Sequence, residues 1–282
     1  MGSRLSIPLE FKSMIQTLTL FFLFTLSLYA QAQEQFLLKA STIPGTDTVW
    51  VFTPAVYDPL VRSYPAVVML HGYGANYKQW DGIMGAQRYA DEYGFILICP
   101  DGFRDSWYLN SPQKKDHQYV DFFFKYLMPS LKQKYRIDAN NLFITGLSMG
   151  GHGALYLFSQ RPDLFRAAGS TSGVLDLRPS VEKYGLASHL GSLATNQVTW
   201  IRFSVMGNVE KIAAAKKEII FDCGTDDRFY EINQEFRGIC ANLRIPATFI
   251  SQPGNHDKMY WQKSIRQHFE FFKRLALQPV QE

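Results

Sequence analysis

Seven runs along this chain are rich in apolar, branched and aromatic residues and end at Gly, Pro or Asp. They are TVWVFTPAVY (48–57), AVVMLHG (66–72), FILICPDG (95–102), NLFITG (141–146), FRAAGSTSG (165–173), EIIFDCGTDD (218–227) and ATFISQPG (247–254). Their apolar positions are continuous rather than alternating, which suits strands covered on both faces. Stretches with helical spacing separate most of them. QWDGIMGAQRYADEYG, YVDFFFKYLMPSLKQKY, GGHGALYLFSQRPDLF, FYEINQEFRGICANLRI and the closing MYWQKSIRQHFEFFKRLAL are the longest. Strand and helix therefore take turns, and the pattern predicts an α/β fold with a mostly parallel sheet between helices. No helix separates residues 33–42 from the first run, so the sheet should open with an antiparallel ribbon. Residues 174–217 break the rhythm. A segment that long without clean periodicity reads either as a lid or substrate loop or as an ordinary surface excursion.

The N-terminus follows another logic. Arg4 and Lys12 precede an apolar run from Ile15 to Tyr29, followed by Ala30-Gln31-Ala32. A basic lead, a short apolar core and small residues at −3 and −1 describe a secretory signal peptide over 1–32, leaving one domain over 33–282. The run is 15 residues (29 − 15 + 1), short of the roughly 20 a membrane span needs, so an uncleaved anchor is the weaker reading. The expected location is secreted or periplasmic, with no stable membrane span after cleavage.

Composition narrows the partners. The 282 residues are 46% hydrophobic and 19% charged, enough apolar material for a large core. The net charge of +4 comes from scattered residues with no long basic run, which argues against nucleic acid. Cys99, Cys223 and Cys240 sit in apolar runs and read as buried free thiols, although an exported chain could pair two of them. Neither Cys-x-x-Cys nor His-Glu-x-x-His occurs, so no metal or cofactor is expected.

The chemistry centres on FITGLSMGGHGAL, residues 143–155, where Gly146-Leu147-Ser148-Met149-Gly150 fits Gly-x-Ser-x-Gly. Between a strand and a helix, these glycines permit a sharp turn that lifts the serine hydroxyl above the sheet edge. A serine needs a base, and the base needs an orienting carboxylate. Asp226 and Asp227 follow one predicted strand, His256 follows the next, and the order Ser, Asp, His suits this type of sheet. His71, His117, His152 and His268 are weaker candidates for the base, and His189 could line the site. For the oxyanion, the Met149 N–H is one donor, and the glycine-flanked Tyr73 in His71-Gly72-Tyr73-Gly74 offers the other.

These motifs, with LHGYGANYKQW, CPDGFRDSWYLNSP, DCGTDDRFYEINQEF and PGNHDKMYW, resemble the α/β-hydrolase esterases that include feruloyl esterases, S-formylglutathione hydrolase and mycolyltransferases. The resemblance runs in order over nearly all of residues 33–282. Its Gly-Thr-x-Asp pattern falls on Gly224-Thr225-Asp226-Asp227 and selects Asp227 as the acid. Asn255 stands where the family's histidine loop usually has glycine. The resemblance also implies that Trp107 and Tyr108 lie near the substrate pocket. It implies a serine esterase acting on small-molecule or polysaccharide-linked esters, with feruloyl or acetyl esters of carbohydrate the favoured class. Acyl transfer to a sugar or lipid alcohol is the alternative chemistry, and a non-catalytic carbohydrate-binding protein the alternative class. Oligomeric state is not readable from the sequence.

Overall fold

A computed structural model describes residues 33–279; the expected signal segment, 1–32, lies outside the described residues. Eight strands form one sheet in the order β1-β2-β4-β3-β5-β6-β7-β8. Strands β1 (Gln33–Lys39) and β2 (Thr46–Phe52) make the antiparallel ribbon, and β2 also runs antiparallel to β4 (Ile96–Pro100). All other pairings, through β3 (Tyr64–Leu70), β5 (Ile137–Gly146), β6 (Ala167–Thr171), β7 (Ile219–Gly224) and β8 (Ala247–Gln252), are parallel.

The continuous apolar runs have a direct structural cause. In β3, Ala66, Val68 and Leu70 pack into one core while Val67 and Met69 pack into a second. Successive side chains of a strand point to opposite faces, so a strand with a core on each side has no polar face to show. The first core includes Leu155 and Phe158 from α5 (Met149–Gln160). The second includes Trp80 from α1 (Gln79–Met84), Tyr89 from α2 (Ala86–Tyr93), and Phe269 and Phe272 from α10 (Lys258–Ala276).

Three predicted boundaries shift, each for a local reason. The run 48–57 stops being a strand at Phe52, because Pro54 brings no N–H and the chain turns, with Tyr57 N–H donating to Pro54 O (2.8 Å). The helical stretch from Gln79 to Tyr93 splits at Gly85, whose φ of 69° ends α1. The stretch from Tyr119 to Lys134 is α3 (Tyr119–Phe122) and α4 (Met128–Lys134) joined by a π turn, Phe123–Leu127.

Residues 174–217 are not a loose excursion. They carry α6 (Leu186–Leu190), α7 (Gln197–Phe203) and α8 (Val209–Ala215). Leu186, Leu190, Trp200, Val205 and Ile212 are fully buried in the first core. The segment is anchored, and only part of it reaches the site. Helix α9 (Tyr230–Asn242) completes the set. Cys99, Cys223 and Cys240 are buried and unpaired. Among the described residues, no helix is long and apolar enough to cross a membrane.

Candidate active site

Strand β5 ends at Gly146 and α5 begins at Met149, so Ser148 stands in the turn between them. Its backbone is at φ 54° and ψ −114°, a conformation costly for a residue with a side chain. Two close approaches enforce the turn. A Cβ on Gly146 would collide with the Gly150 carbonyl, and a Cβ on Gly150 would collide with the carbonyls of Leu70 and His71. The glycines of the motif are thus spacers that let helix α5 start against the ends of β3 and β5. The Ser148 N–H donates to Thr171 O (3.0 Å), which ties the strained residue to the neighbouring strand.

Asp227 and His256 arrive from the loops after β7 and β8. Asp227 is held in a tight turn, its N–H donating to Gly224 O (3.1 Å), and its Oδ1 accepts from the Phe229 N–H (2.9 Å). His256 Nδ1–H donates to Asp227 Oδ2 (2.8 Å), and the other ring nitrogen, Nε2, lies 2.9 Å from Ser148 Oγ. With the proton on Nδ1 fixed by the carboxylate, Nε2 is left as an acceptor for the serine hydroxyl. Phe229 and Trp261 stand edge-on to the imidazole, each 5.1 Å between ring centres, and restrict its rotation. Burial pushes the Asp227 carboxyl up. The hydrogen bond and charge of His256, together with the Phe229 N–H, outweigh this and hold it below the ordinary carboxylate range. Asn255 is exposed and has no positive φ, so the loop presents His256 without needing glycine there.

The two amide donors named from the motifs, Tyr73 N–H and Met149 N–H, donate to no acceptor among the described residues. The Tyr73 loop is clamped from several sides. The Gly72 N–H donates to Gln79 Oε1 (2.8 Å) and the Gly74 N–H to Arg104 O (2.8 Å). His71 accepts from the Gly102 N–H at Nε2 (2.7 Å), which leaves Nδ1–H to donate to Gly72 O (2.8 Å). Ser148 and His256 open into a cavity of about 220 Å³ that Gly72, Tyr73, Trp107, Tyr184, Arg228 and Trp261 also line.

Residues 40–272 match the family model Esterase, described as "Putative esterase". The chain belongs to this esterase family. It is a serine carboxylic-ester hydrolase with the α/β-hydrolase fold. Among its relatives, the S-formylglutathione hydrolase of Mus musculus is 25% identical over 221 residues, covering 70% of this chain and 77% of its own. The fluorophosphonate-binding serine hydrolase F of Staphylococcus aureus shares the fold at TM-score 0.75 and 21% identity, over 86% of this chain and 98% of its own. A ferulic acid esterase does so at TM-score 0.71 and 22% identity, over 86% of this chain and 97% of its own.

Within this esterase, the remaining sequence expectations divide cleanly. Trp107 does line the cavity, its indole N–H donating to Tyr184 O (3.0 Å). Tyr108 does not line it. Its ring is fully buried against Gly102 and Gly153, and its hydroxyl donates to His71 O (2.9 Å). Adjacent residues on an irregular loop point apart, so a shared motif did not mean a shared wall. His189 also stays out of the cavity, buried 3.3 Å from Asp105 and capped by Lys114. His152 points away from Ser148 to Phe203 O (2.9 Å), and burial lowers its pKa to about 4. Asp257, beside His256, caps α10 by accepting from the Tyr260 N–H (2.9 Å).

Five wall residues were not singled out by the sequence reading: Gln79, Val174, Tyr184, Arg228 and Trp261. Arg228 follows Asp227 directly and Trp261 lies one helical turn past Asp257, so proximity to a predicted site residue was the available signal. Val174 and Tyr184 lie in the 174–217 segment that read as a possible substrate loop, and Gln79 in the LHGYGANYKQW motif, but nothing local says which residue of either stretch reaches the cavity.

Proposed function

We propose that Ser148, His256 and Asp227 form the catalytic triad of this esterase, with the Tyr73 and Met149 amides as its oxyanion hole. Ser148 Oγ attacks the ester carbonyl as His256 Nε2 accepts its proton. The carbonyl oxygen, now negative, takes the two unpaired N–H groups as partners. Collapse of the tetrahedral intermediate expels the alcohol, which receives the proton from His256 and leaves an acyl-enzyme on Ser148. Water then gives a proton to His256 and attacks the acyl group, and the acid departs as Ser148 regains its proton. Asp227 keeps the imidazole in the required tautomer and stabilises its cationic form. The observation that carries the reading is the unbroken contact chain of 2.9 Å and 2.8 Å from the serine hydroxyl to a buried carboxylate, opening into a cavity.

The substrates we assign are feruloyl or acetyl esters of carbohydrate, met outside the cytoplasm. Four aromatic side chains on the cavity wall, Tyr73, Trp107, Tyr184 and Trp261, favour a flat aromatic acyl group or a sugar face. The basic and apolar N-terminal pattern with its Ala-Gln-Ala favours export, and would be tested by recovery of an extracytoplasmic chain beginning at Gln33.

The decisive experiment compares the enzyme and Ser148→Ala on methyl ferulate and on acetylated xylo-oligosaccharide, with covalent labelling by a fluorophosphonate in parallel. Hydrolysis and labelling by the enzyme, both lost in Ser148→Ala, are the expected results. Turnover that survives the substitution overturns the triad, and ester turnover confined to simple alkyl esters overturns the substrate class.

A further inference from the structure

Two arginines stand against aromatic side chains of the cavity wall, and neither has an acidic partner among the described residues. Arg228 lines the cavity itself, immediately after Asp227. Its guanidinium lies 5.9 Å over the Tyr184 ring and 5.3 Å over Phe229. Tyr184 meets Tyr73 edge-on with ring centres 5.2 Å apart, and Arg104 lies 5.6 Å over the far ring, Tyr73. The rim is therefore a row of cation, ring, ring and cation.

Four arginines elsewhere on this surface are paired with acids. Arg161, Arg178, Arg266 and Arg274 each hold a carboxylate within ion-pair distance. Arg104 and Arg228 hold none among the described residues, and both are exposed. The nearest acid in sequence to Arg104, Asp105, is committed to His189 (3.3 Å). Among the described residues that line the cavity, Arg228 is the one with a permanently charged side chain, and none is acidic. An aromatic face beneath a guanidinium fixes its plane and leaves its edge N–H groups free. That edge matches a carboxylate, which can take two parallel hydrogen bonds.

We infer that this esterase selects esters that carry a carboxylate near the scissile bond, bound by Arg228 with Arg104 reinforcing the field. The inference rests on the triad reading above, since it concerns the substrate of that same site. An acidic group could belong to the acyl part, as in a half-ester of a dicarboxylic acid, or to the alcohol part, as in an acidic sugar or phenol. The shared chemistry is a planar anion within side-chain reach of Ser148.

Two matched pairs of substrates test it. The acyl-side pair is 4-nitrophenyl hydrogen glutarate and its methyl-capped neutral analogue. The alcohol-side pair is 4-acetoxybenzoate and its methyl ester. In at least one pair, kcat/KM for the charged member should exceed that for the neutral one by about 10-fold at low ionic strength, through KM. Added salt should shrink this preference. Arg228→Gln should reduce the charged-to-neutral ratio by about the same factor, Arg228→Lys by less, and Arg104→Gln by a few-fold. Which pair responds tells which side of the ester carries the anion. Hydrolysis of the neutral members with no preference for either charged one overturns this inference and leaves the triad standing. A preference that survives Arg228→Gln also overturns it. Failure to hydrolyse any of the four, with Ser148 unlabelled by fluorophosphonate, overturns the triad reading and this inference with it.

Discussion

Three residues before Ser148, strand β5 carries a second array of the same chemical kind. Thr145 Oγ1 lies 2.9 Å from His268 Nδ1, and His268 Nε2–H donates to Asp222 Oδ2 (2.7 Å). Asp222 Oδ1 accepts from Thr171 Oγ1 (2.6 Å), which also meets Ser264 Oγ (2.7 Å). Hydroxyl, imidazole and carboxylate are thus connected at distances no worse than those at Ser148, His256 and Asp227. Yet Thr145, His268 and Asp222 are all completely buried, and Gly169 packs against both Thr145 and the His268 ring. Thr145, His268 and Asp222 do not line the cavity at Ser148, and Thr145 has no positive φ. The inner array joins β5, β6 and β7 to α10 and serves as a fastening in the interior. The comparison teaches that a hydroxyl–histidine–carboxylate chain is not by itself a catalytic device. Access to a cavity and a serine held at φ 54° distinguish the outer array.

The largest contrast should come from the two histidines. His256→Ala should lower kcat on an aryl ester by about 10⁴–10⁶-fold, as when a triad member is removed from a serine hydrolase. His268→Ala should instead lower the unfolding free energy by about 3–5 kcal/mol in urea titrations, because it leaves the buried Asp222 Oδ2 without its imidazole partner. Turnover per folded molecule should persist. If His268→Ala abolished turnover while circular dichroism showed a folded chain, the division between catalytic and structural arrays would fail.

A smaller effect sharpens the inner array alone. Thr145→Val keeps the shape but removes the hydroxyl facing His268 Nδ1, leaving a buried ring nitrogen unpaired. A loss of about 1–3 kcal/mol is expected from chemical denaturation. No measurable loss would mean that this hydroxyl contributes nothing to the fastening.

The mildest test uses acid. The folded Asp227 carboxyl is held below its ordinary value, so it contributes stability that is present above the unfolded value of about 4 and is lost as pH falls through the lowered folded value. The stability difference between the enzyme and Asp227→Asn should therefore be constant near neutral pH and narrow below about pH 4. A difference independent of pH down to pH 2 would contradict the lowered Asp227 carboxyl.

Much of this architecture could be read from residues in order. Continuous apolar runs marked strands covered on both faces, and the Val67/Val68 alternation between two cores shows why they carry no polar face. The site was legible where strain demands a particular residue. Gly146 and Gly150 are required by close backbone approach, so they announced Ser148. Tyr108 misled because its loop turns it inward, to hold the His71 carbonyl. His268 and Asp222 carry no local sign of partnership, since nothing in either stretch says that β7 and α10 will bring them within 2.7 Å.

The sequence alone therefore determined the order of strands and helices and the residues able to carry ester chemistry, because periodicity, turn sterics and side-chain type are local properties. Only the tertiary structure decided which hydroxyl–histidine–carboxylate set faces a cavity, which aromatic residues wall it, and which arginines remain unpaired at its rim. Those outcomes depend on distances between segments far apart in the chain. Burial and solvent access arise only once the sheet is covered.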